Sequence, residues 1–336
     1  MRRRILIFVI LFIIAGVILG ALIDPSFFIE HYNGISFYHI ATRLTKDKMD
    51  TLSKMQALIE YLKENVFTGH FETQDLPPLE NLIRGIGWCD QSAHLYLRLI
   101  EPLDIRGYLF FLRNSAGASP HSAAVVTPKT KRRLENYAEI IKEGWIVDTQ
   151  QGVLFKNKLG QPATFSDICS KDVLKEQDKY FSKKFNPHSL YCNEANVFLS
   201  NTPISLDNKK RRVFYKYIFP FLPEKAINLY QDILLERYYK KIYTGEAFLY
   251  FKARNYHIYE RFDEAEKLYE LIINSTKDEE MAEKCLFFQG MLYFRMNRFS
   301  KTKEKFKTII EKYPASPWSL LAQDWQSEAD EHNEGL

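Results

Sequence analysis

The chain has 336 residues, of which 46% are apolar and 26% are charged, a balance that excludes disorder over the whole chain and fits about two domains. Its 46 basic and 42 acidic residues leave a net charge of +4, so a nucleic-acid partner, which needs a strong clustered basic surface, is not expected. Four cysteines without a CxxC pair exclude a zinc ribbon and a disulfide-dense scaffold. We expect neither a metal nor a cofactor.

The first long pattern is an apolar segment close to the amino terminus. Residues 5–23 carry no charged side chain, and three arginines precede them at positions 2–4. A helix of this length is close to the thickness of a bilayer core. We therefore expect one N-terminal transmembrane helix over residues 5–23, with a cytoplasmic N-terminus and the main part of the chain extracytoplasmic. The alternative is a cleaved signal peptide, for which the apolar run is unusually long.

Behind this segment the periodicity predicts a mixed region. Apolar residues at steps of three and four indicate helices over 49–66 and 89–100, with a loop that contains glycine and proline between them. Three β-like runs follow, at 108–113, 121–127 and 145–149. After about residue 170 the strand signals stop, and residues 213–325 are predicted to be helical almost throughout.

The last helical stretch contains an internal repeat with a period of 37 residues. Small and aromatic residues recur at that offset: Ala253 with Gly290, Tyr256 with Tyr293, and Phe262 with Phe299. Residues 246–325 resemble tetratricopeptide repeats. The residues at that family's spacings are Leu286, Gly290, Tyr293, Phe306 and Pro314. The resemblance implies a helical surface that binds a protein partner, and an ordinary helical bundle is the alternative.

Cys89 is the first candidate for chemistry. It lies at or near the predicted start of the helix 89–100. The partial positive charge of a helix amino terminus stabilises a thiolate, and the free backbone N–H groups of the first turn can hold a developing oxyanion. The position therefore suits a nucleophile for two separate reasons. The plain alternative is a small buried apolar residue, which is what most lone cysteines are.

His121 and Asp148 are the candidates that would act with Cys89. His121 opens the second β-like run, and Asp148 lies near the end of the third. An imidazole beside a thiol can take its proton and return it to a leaving group, and a neighbouring carboxylate fixes the imidazole tautomer. A hairpin from 121 to 149 could bring the two side chains together across the ladder. His94, which should point away from Cys89, and His188 are the rival bases.

The stretch from about 49 to 168 resembles the transglutaminase-like domain of the papain-like superfamily. The resemblance rests on the order of four segments: an amphipathic helix, a Gly-x-Cys motif with an alanine four residues past the cysteine, a strand that begins at a histidine and a strand that closes on an aspartate. It implies that Cys89 is the nucleophile, His121 the base and acid, and Asp148 the residue that orients His121.

Four neighbours of these residues receive structural interpretations. Trp88 is interpreted as a wall of the pocket and Gln91 as a residue of the helix surface. Gln150 and Gln151 could line the cleft, but they are interpreted as turn residues. No second oxyanion donor is assigned.

The remaining cysteines are interpreted without chemistry. Cys169 and Cys192 could form a disulfide that closes a loop, or they could be independent free thiols. Cys285 lies on the apolar side of a repeat helix and is expected in the core.

Together these patterns predict an α+β fold. Its parts are a transglutaminase-like or papain-like core, in which the nucleophile helix packs on a small antiparallel sheet, an all-α tetratricopeptide-like region, and one N-terminal transmembrane helix. The predicted boundaries are 5–23 for the transmembrane helix, 45–169 for the transglutaminase-like domain, 170–245 for a helical connecting region and 246–325 for the repeats.

The function expected from the sequence is that of a membrane-anchored extracytoplasmic cysteine enzyme. It would act on an amide or peptide bond of a protein or envelope substrate through a thioester, with water or an amine as acceptor and hydrolysis favoured. Residues 5–23 would hold it in the membrane, and the repeats would bind a protein partner. The alternatives are a non-catalytic envelope scaffold that works through its repeats, and a structural adaptor in which Cys89 is a core residue.

Overall fold

The computed structural model describes residues 12, 15, 16, 26–68, 76–112, 121–127, 143–170, 197–199 and 223–334. The chain divides into two compact units. One unit, Phe37–Lys209, is called the sheet unit. The other, formed by Met1–Ser36 together with Lys210–Leu336, is called the helical unit.

Helices precede the strands along the chain. Their bounds are Ser26–Leu44 for α1, Thr51–Asn65 for α2, Pro78–Arg84 for α3 and Cys89–Ile100 for α4. Capping fixes two of these ends, because the Asp50 side chain accepts a hydrogen bond of 2.8 Å from the backbone N–H of Ser53, and Gly85 ends α3 in the left-handed conformation at φ 77°. A short helix, α5, follows the first four strands at Phe165–Cys169.

Within the described residues five antiparallel strands form one sheet. They are β1 at Arg106–Leu112, β2 at His121–Thr127, β3 at Trp145–Asp148, β4 at Val153–Leu154 and β5 at Val197–Leu199, and their order across the sheet is β4-β3-β2-β1-β5. Every residue of β2 is buried, which fits a central strand covered by α4. The strand β5 corrects the expectation that strands end near residue 170, since it pairs with β1.

The helical unit contains a series of helices that follow one another along the chain. Their bounds are Glu224–Leu234 for α6, Lys240–Ile242 for α7, Gly245–Ile258 for α8, Phe262–Ser275 for α9, Glu279–Arg295 for α10, Phe299–Lys312 for α11 and Pro317–Glu334 for α12. Consecutive helices pack on each other from α8 to α12. A π-helical turn at Leu235–Tyr239 joins α6 to α7.

The 37-residue offset of the sequence also appears in the backbone of the helical unit. The turns that follow α8 and α10 place Glu260 at φ 61° and Asn297 at φ 57°, which are 37 positions apart. On α10 a Cβ atom at Gly290 would lie 2.5 Å from Cε1 of Phe306, so glycine allows α10 and α11 to approach closely. The two hairpins therefore share one turn geometry, and the tetratricopeptide resemblance itself stays a prediction.

The predicted fold class is wrong in its proportion of strand to helix and in its transmembrane helix. The described part of the chain is predominantly helical, and its sheet is small, with strands of seven, seven, four, two and three residues. A long helix, α1, occupies 26–44, where the sequence pattern indicates no element. The α+β prediction is wrong because the β-like runs form only a small sheet and because α1 was not predicted.

The expected transmembrane helix, and with it the single-pass membrane protein, is also corrected. In the part of the chain that the structure describes, no helix combines the length and the apolar character needed to cross a bilayer. The helix α1 has 19 residues, but Glu30, Asn33 and Arg43 lie in its sequence. Of the predicted span 5–23, only positions 12, 15 and 16 belong to the described residues.

Candidate active site

Cys89 is the first residue of α4. The preceding residue, Trp88, has an extended backbone at φ −78° and ψ 172°, and its carbonyl accepts the first helical hydrogen bond, 2.9 Å from the N–H of Ser92. An indole has no acceptor, so the Trp88 side chain does not cap the first-turn N–H groups. The nucleophile candidate therefore stands at a helix amino terminus without a side-chain cap, where the helix dipole favours negative charge.

The turn that leads into α4 is fixed by backbone pairing. The N–H of Gly87 donates to the carbonyl of Phe67 at 3.0 Å, and the N–H of Phe67 donates to the carbonyl of Gly85 at 2.9 Å. Phe67 follows α2, so the end of that helix holds the segment before Cys89. Sequence periodicity alone gives no sign of this parallel bridge, because it joins two loop residues.

Gln91 has a different role from the one its sequence position suggested. Only 8% of it is exposed, and its Oε1 accepts a hydrogen bond of 3.0 Å from the backbone N–H of Trp88. Arg84 donates to the same Oε1 at 3.3 Å and to the carbonyl of Ile86 at 3.1 Å. The interpretation of Gln91 as a helix-surface residue is therefore wrong, because the side chain folds back over the start of α4. A glutamine at the third helical position is a known signature of such backward capping.

His121 and Asp148 lie side by side on neighbouring strands. The register of β2 and β3 pairs Ala124 with Val147, and one further step places Ala123 opposite Asp148. His121 is then the diagonal neighbour of Asp148 on the same face of the sheet. Its Nε2 lies 2.7 Å from Oδ2 of Asp148, and 6% and 4% of the two side chains are exposed.

The second carboxylate oxygen of Asp148 is also held. The backbone N–H groups of Gln150 and Gln151 each donate to Oδ1 at 3.1 Å, so the carboxylate closes the turn after β3. Such donors stabilise the charged form of a carboxylate and fix its orientation. Gln150 and Gln151 contribute their backbone here, as expected for turn residues.

The Cys89 side chain interacts with His121. This interaction is one of the causes that raise the pKa of His121, and since Nε2 faces Asp148, Nδ1 is the ring nitrogen left for the thiol. Burial lowers the pKa of His121, but the charge and hydrogen bond of Asp148, together with Cys89, outweigh it and raise the pKa to about 10. The imidazole is therefore held in its cationic form at neutral pH, as a thiolate–imidazolium pair requires.

Other candidate residues lie outside this arrangement. His94 is on the same helix as Cys89, and its pKa is lowered by burial and by Arg98, with Asp90 acting in the opposite direction. His188 lies outside the described residues. Of the described residues, no group of three or more His, Cys, Asp and Glu could hold a metal ion.

The remaining cysteines divide into one described thiol and one untested pair. Cys285 is a free thiol without solvent exposure, and burial raises its pKa to about 12, so its assignment to the core is confirmed. Cys192 lies outside the described residues, and of Cys169 only the backbone, at the end of α5, is described. The predicted disulfide stays a prediction.

Comparison of the chain with models of protein families, with curated proteins and with solved structures found no match. The resemblances to a transglutaminase-like domain and to tetratricopeptide repeats therefore have no support from these comparisons. The candidate site depends on its own geometry, in which Cys89, His121 and Asp148 come from α4, β2 and β3.

Proposed function

We propose that the chain is a cysteine enzyme of transglutaminase-like type, which acts on an amide or peptide bond of a protein or peptide-like substrate through a thioester intermediate. The observation that carries this proposal is the interaction of the partly exposed Cys89 with His121, whose Nε2 lies 2.7 Å from the buried Asp148. A thiol hydrogen bonded to an imidazole, which is oriented by a carboxylate, is the arrangement that nucleophilic acyl transfer needs.

The first step forms the thioester. In the reactive form the proton of the Cys89 thiol resides on Nδ1 of His121, and the Cys89 thiolate attacks the acyl carbon, whose carbonyl electrons move onto oxygen. When the tetrahedral intermediate collapses, the C–N bond breaks and the imidazolium returns its proton to the leaving amine. The uncapped N–H groups at the start of α4 support this step because they can donate to the oxyanion.

The second step releases the acyl group. His121 removes a proton from water, the resulting hydroxide attacks the thioester carbon, and Cys89 leaves as a thiolate that recovers its proton. An amine in place of water would give acyl transfer by the same path. We favour water as the acceptor and therefore hydrolysis, as in the expectation from the sequence.

Asp148 supports both steps by stabilising the imidazolium. Its carboxylate lies 2.7 Å from Nε2 of His121 and is itself held by two backbone N–H groups at 3.1 Å. A buried charge pair of this kind loses little energy to solvent rearrangement during reaction, because its dipoles are already oriented.

The test uses p-nitrophenyl acetate, an activated ester that requires no knowledge of the natural substrate. We expect the full chain to release p-nitrophenolate in a burst and to carry an acetyl group on Cys89, detected by peptide mass spectrometry. Cys89→Ala should abolish the adduct, and His121→Ala should slow its formation about 100-fold. Cys285→Ala is the matched control, since this buried thiol lies in the helical unit, and it should leave the burst unchanged.

The acceptor is tested on the same acetyl-enzyme. A primary amine added at increasing concentration should leave acetate as the main product if water is the natural acceptor. If Cys89 is not acetylated in folded protein, or if His121→Ala acetylates at the same rate, the enzymatic proposal is wrong. The non-catalytic scaffold would then be the better explanation.

A further inference from the structure

Trp88 is an exposed aromatic side chain directly beside the nucleophile candidate. The fraction of Trp88 exposed to solvent is 48%, whereas the apolar residues of α4, such as Leu95 and Leu99, are buried. Its Cα is one peptide unit from that of Cys89, about 3.8 Å away. An indole of this size offers a broad apolar face to whatever approaches the thiol.

The backbone of Trp88 is held on both sides, so the indole projects from a fixed point. Its N–H donates to Oε1 of Gln91 at 3.0 Å, and its carbonyl accepts from the N–H of Ser92 at 2.9 Å. Arg84 anchors the Gln91 side chain from α3 at 3.3 Å. With the backbone fixed, only the two side-chain torsions of the indole remain to be ordered when a ligand packs on it, which costs little conformational entropy.

The residue type at this position is unfavourable for the helix itself. A helix that begins at Cys89 would be stabilised by Ser, Thr, Asp or Asn at position 88, and tryptophan supplies no such cap. Nor does a half-exposed indole contribute its full apolar surface to the core. Trp88 therefore contributes less to the fold than its size allows, which leaves its apolar face available for binding.

We propose that Trp88 is a specificity-determining residue whose indole packs against the apolar substituent of the acyl donor, so that the preferred substrates carry an apolar group next to the carbonyl that Cys89 attacks. This inference rests on the proposed function. It adds to that function the substrate class that the site prefers.

The test measures kcat/KM for the p-nitrophenyl esters of acetate, butanoate and hexanoate on the full chain, with the Cys89→Ala rate subtracted. Full burial of one methylene corresponds to about a fourfold gain, and one-sided cover by an indole to about twofold. We expect hexanoate to exceed acetate by roughly 16-fold in the wild type. Trp88→Ala should reduce this ratio to below about threefold, and Trp88→Phe should retain most of it.

The control is Leu159→Ala, which removes another exposed apolar side chain of the sheet unit, 80% exposed, and should leave the ratio unchanged. If Cys89 is acylated with dependence on His121 but Trp88→Ala keeps the wild-type ratio, the inference is wrong and the proposed function stands. If no ester acylates Cys89, the proposed function fails and this inference fails with it.

Discussion

Gly107 allows α4, the helix that begins at Cys89, to lie close on the sheet, and its replacement by alanine tests that packing. A Cβ atom at position 107 would lie closer than 3.0 Å to Cδ2 of Leu97 and 3.2 Å from Cδ1 of Ile100. It would also lie 3.2 Å from the carbonyl oxygen of Val125 on β2. Leu97 is 4% exposed and Ile100 is fully buried, so neither side chain can turn into solvent.

The magnitude follows from how far Leu97 must withdraw. Carbon atoms attract each other best at about 3.5–4.0 Å, so the leucine methyl group has to move by roughly 1 Å within a closed core. Overpacking of this kind costs about 1–3 kcal/mol, against which the reduced entropy of the unfolded chain returns about 0.4–1 kcal/mol. We expect Gly107→Ala to lower the free energy of unfolding by about 1–2 kcal/mol and the Tm by about 2–8 °C.

The assay is a double-mutant cycle on urea unfolding. Leu97→Ala alone should cost about 2–5 kcal/mol because it leaves a cavity, but it removes the methyl group that meets the new Cβ. In that background Gly107→Ala should cost less than about 0.5 kcal/mol. An equal cost of Gly107→Ala in both backgrounds would refute the reasoning, since the penalty would then not arise from contact with Leu97.

Three further predictions follow from the site and the helical unit. Asp148→Asn keeps the size of the side chain but removes the charge that stabilises the His121 cation. Acetylation of Cys89 by p-nitrophenyl acetate at pH 7 should therefore slow about 100-fold or more. An unchanged acetylation rate would contradict the role of Asp148. The pKa of His121 is raised to about 10 from 6.5, so this group alone stabilises the folded chain fully below about pH 6.5 and loses that stabilisation as the pH rises toward 10. If the pair also holds Cys89 as a thiolate, the folded and the unfolded chain bind the same number of protons between about pH 6.5 and 8.5, because the unfolded thiol keeps its proton there. Urea unfolding between about pH 8.5 and 10 should therefore show the wild type losing up to about 1.4 kcal/mol per pH unit relative to Asp148→Asn, and parallel curves in that range would contradict this sign. In the helical unit, Gly290→Ala places a Cβ 2.5 and 2.9 Å from two ring carbons of the fully buried Phe306. Thermal unfolding should show that the free energy of unfolding falls by about 1–3 kcal/mol. A gain in stability would mean that α10 and α11 can separate freely.

The local elements of the site were predictable because their signals are local. Apolar steps of three and four place a helix at 89–100, and the observed α4 covers Cys89–Ile100. The β-like run at 121–127 coincides with β2, and the run at 145–149 exceeds β3 by one residue. These segments combine strong periodicity with turn residues at their ends, so little tertiary information is needed to find them.

The contacts between these elements were not determined by the sequence. A hairpin could bring His121 and Asp148 together, but the pairing of Ala124 with Val147 is set by packing of the whole sheet. Gln91 was misread because helical periodicity places it on a surface face, whereas its side chain turns back to Trp88 and Arg84. The contact with Arg84 depends on the position of α3, and the apolar periodicity of α4 carries no information about that helix.

The largest omission was α1. The segment 26–44 contains Phe27, Ile29, Phe37 and Ile40, but its apolar residues are spread around the helix instead of along one face. Without a single apolar face the pattern of an amphipathic helix is weak, and tertiary burial decides its structure. The same kind of override explains why β5, a strand of three residues, was missed.

The most direct test of the central claim is the rate at which iodoacetamide alkylates Cys89 at pH 6, resolved by peptide mass spectrometry on the full chain. An ordinary thiol is less than about 1% thiolate at this pH. If His121 holds Cys89 as a thiolate, the wild type should react at least about tenfold faster than His121→Ala, while the buried Cys285 stays unmodified as an internal reference. Equal rates of Cys89 alkylation in the wild type and in His121→Ala would contradict the thiolate–imidazolium pair and with it the catalytic account.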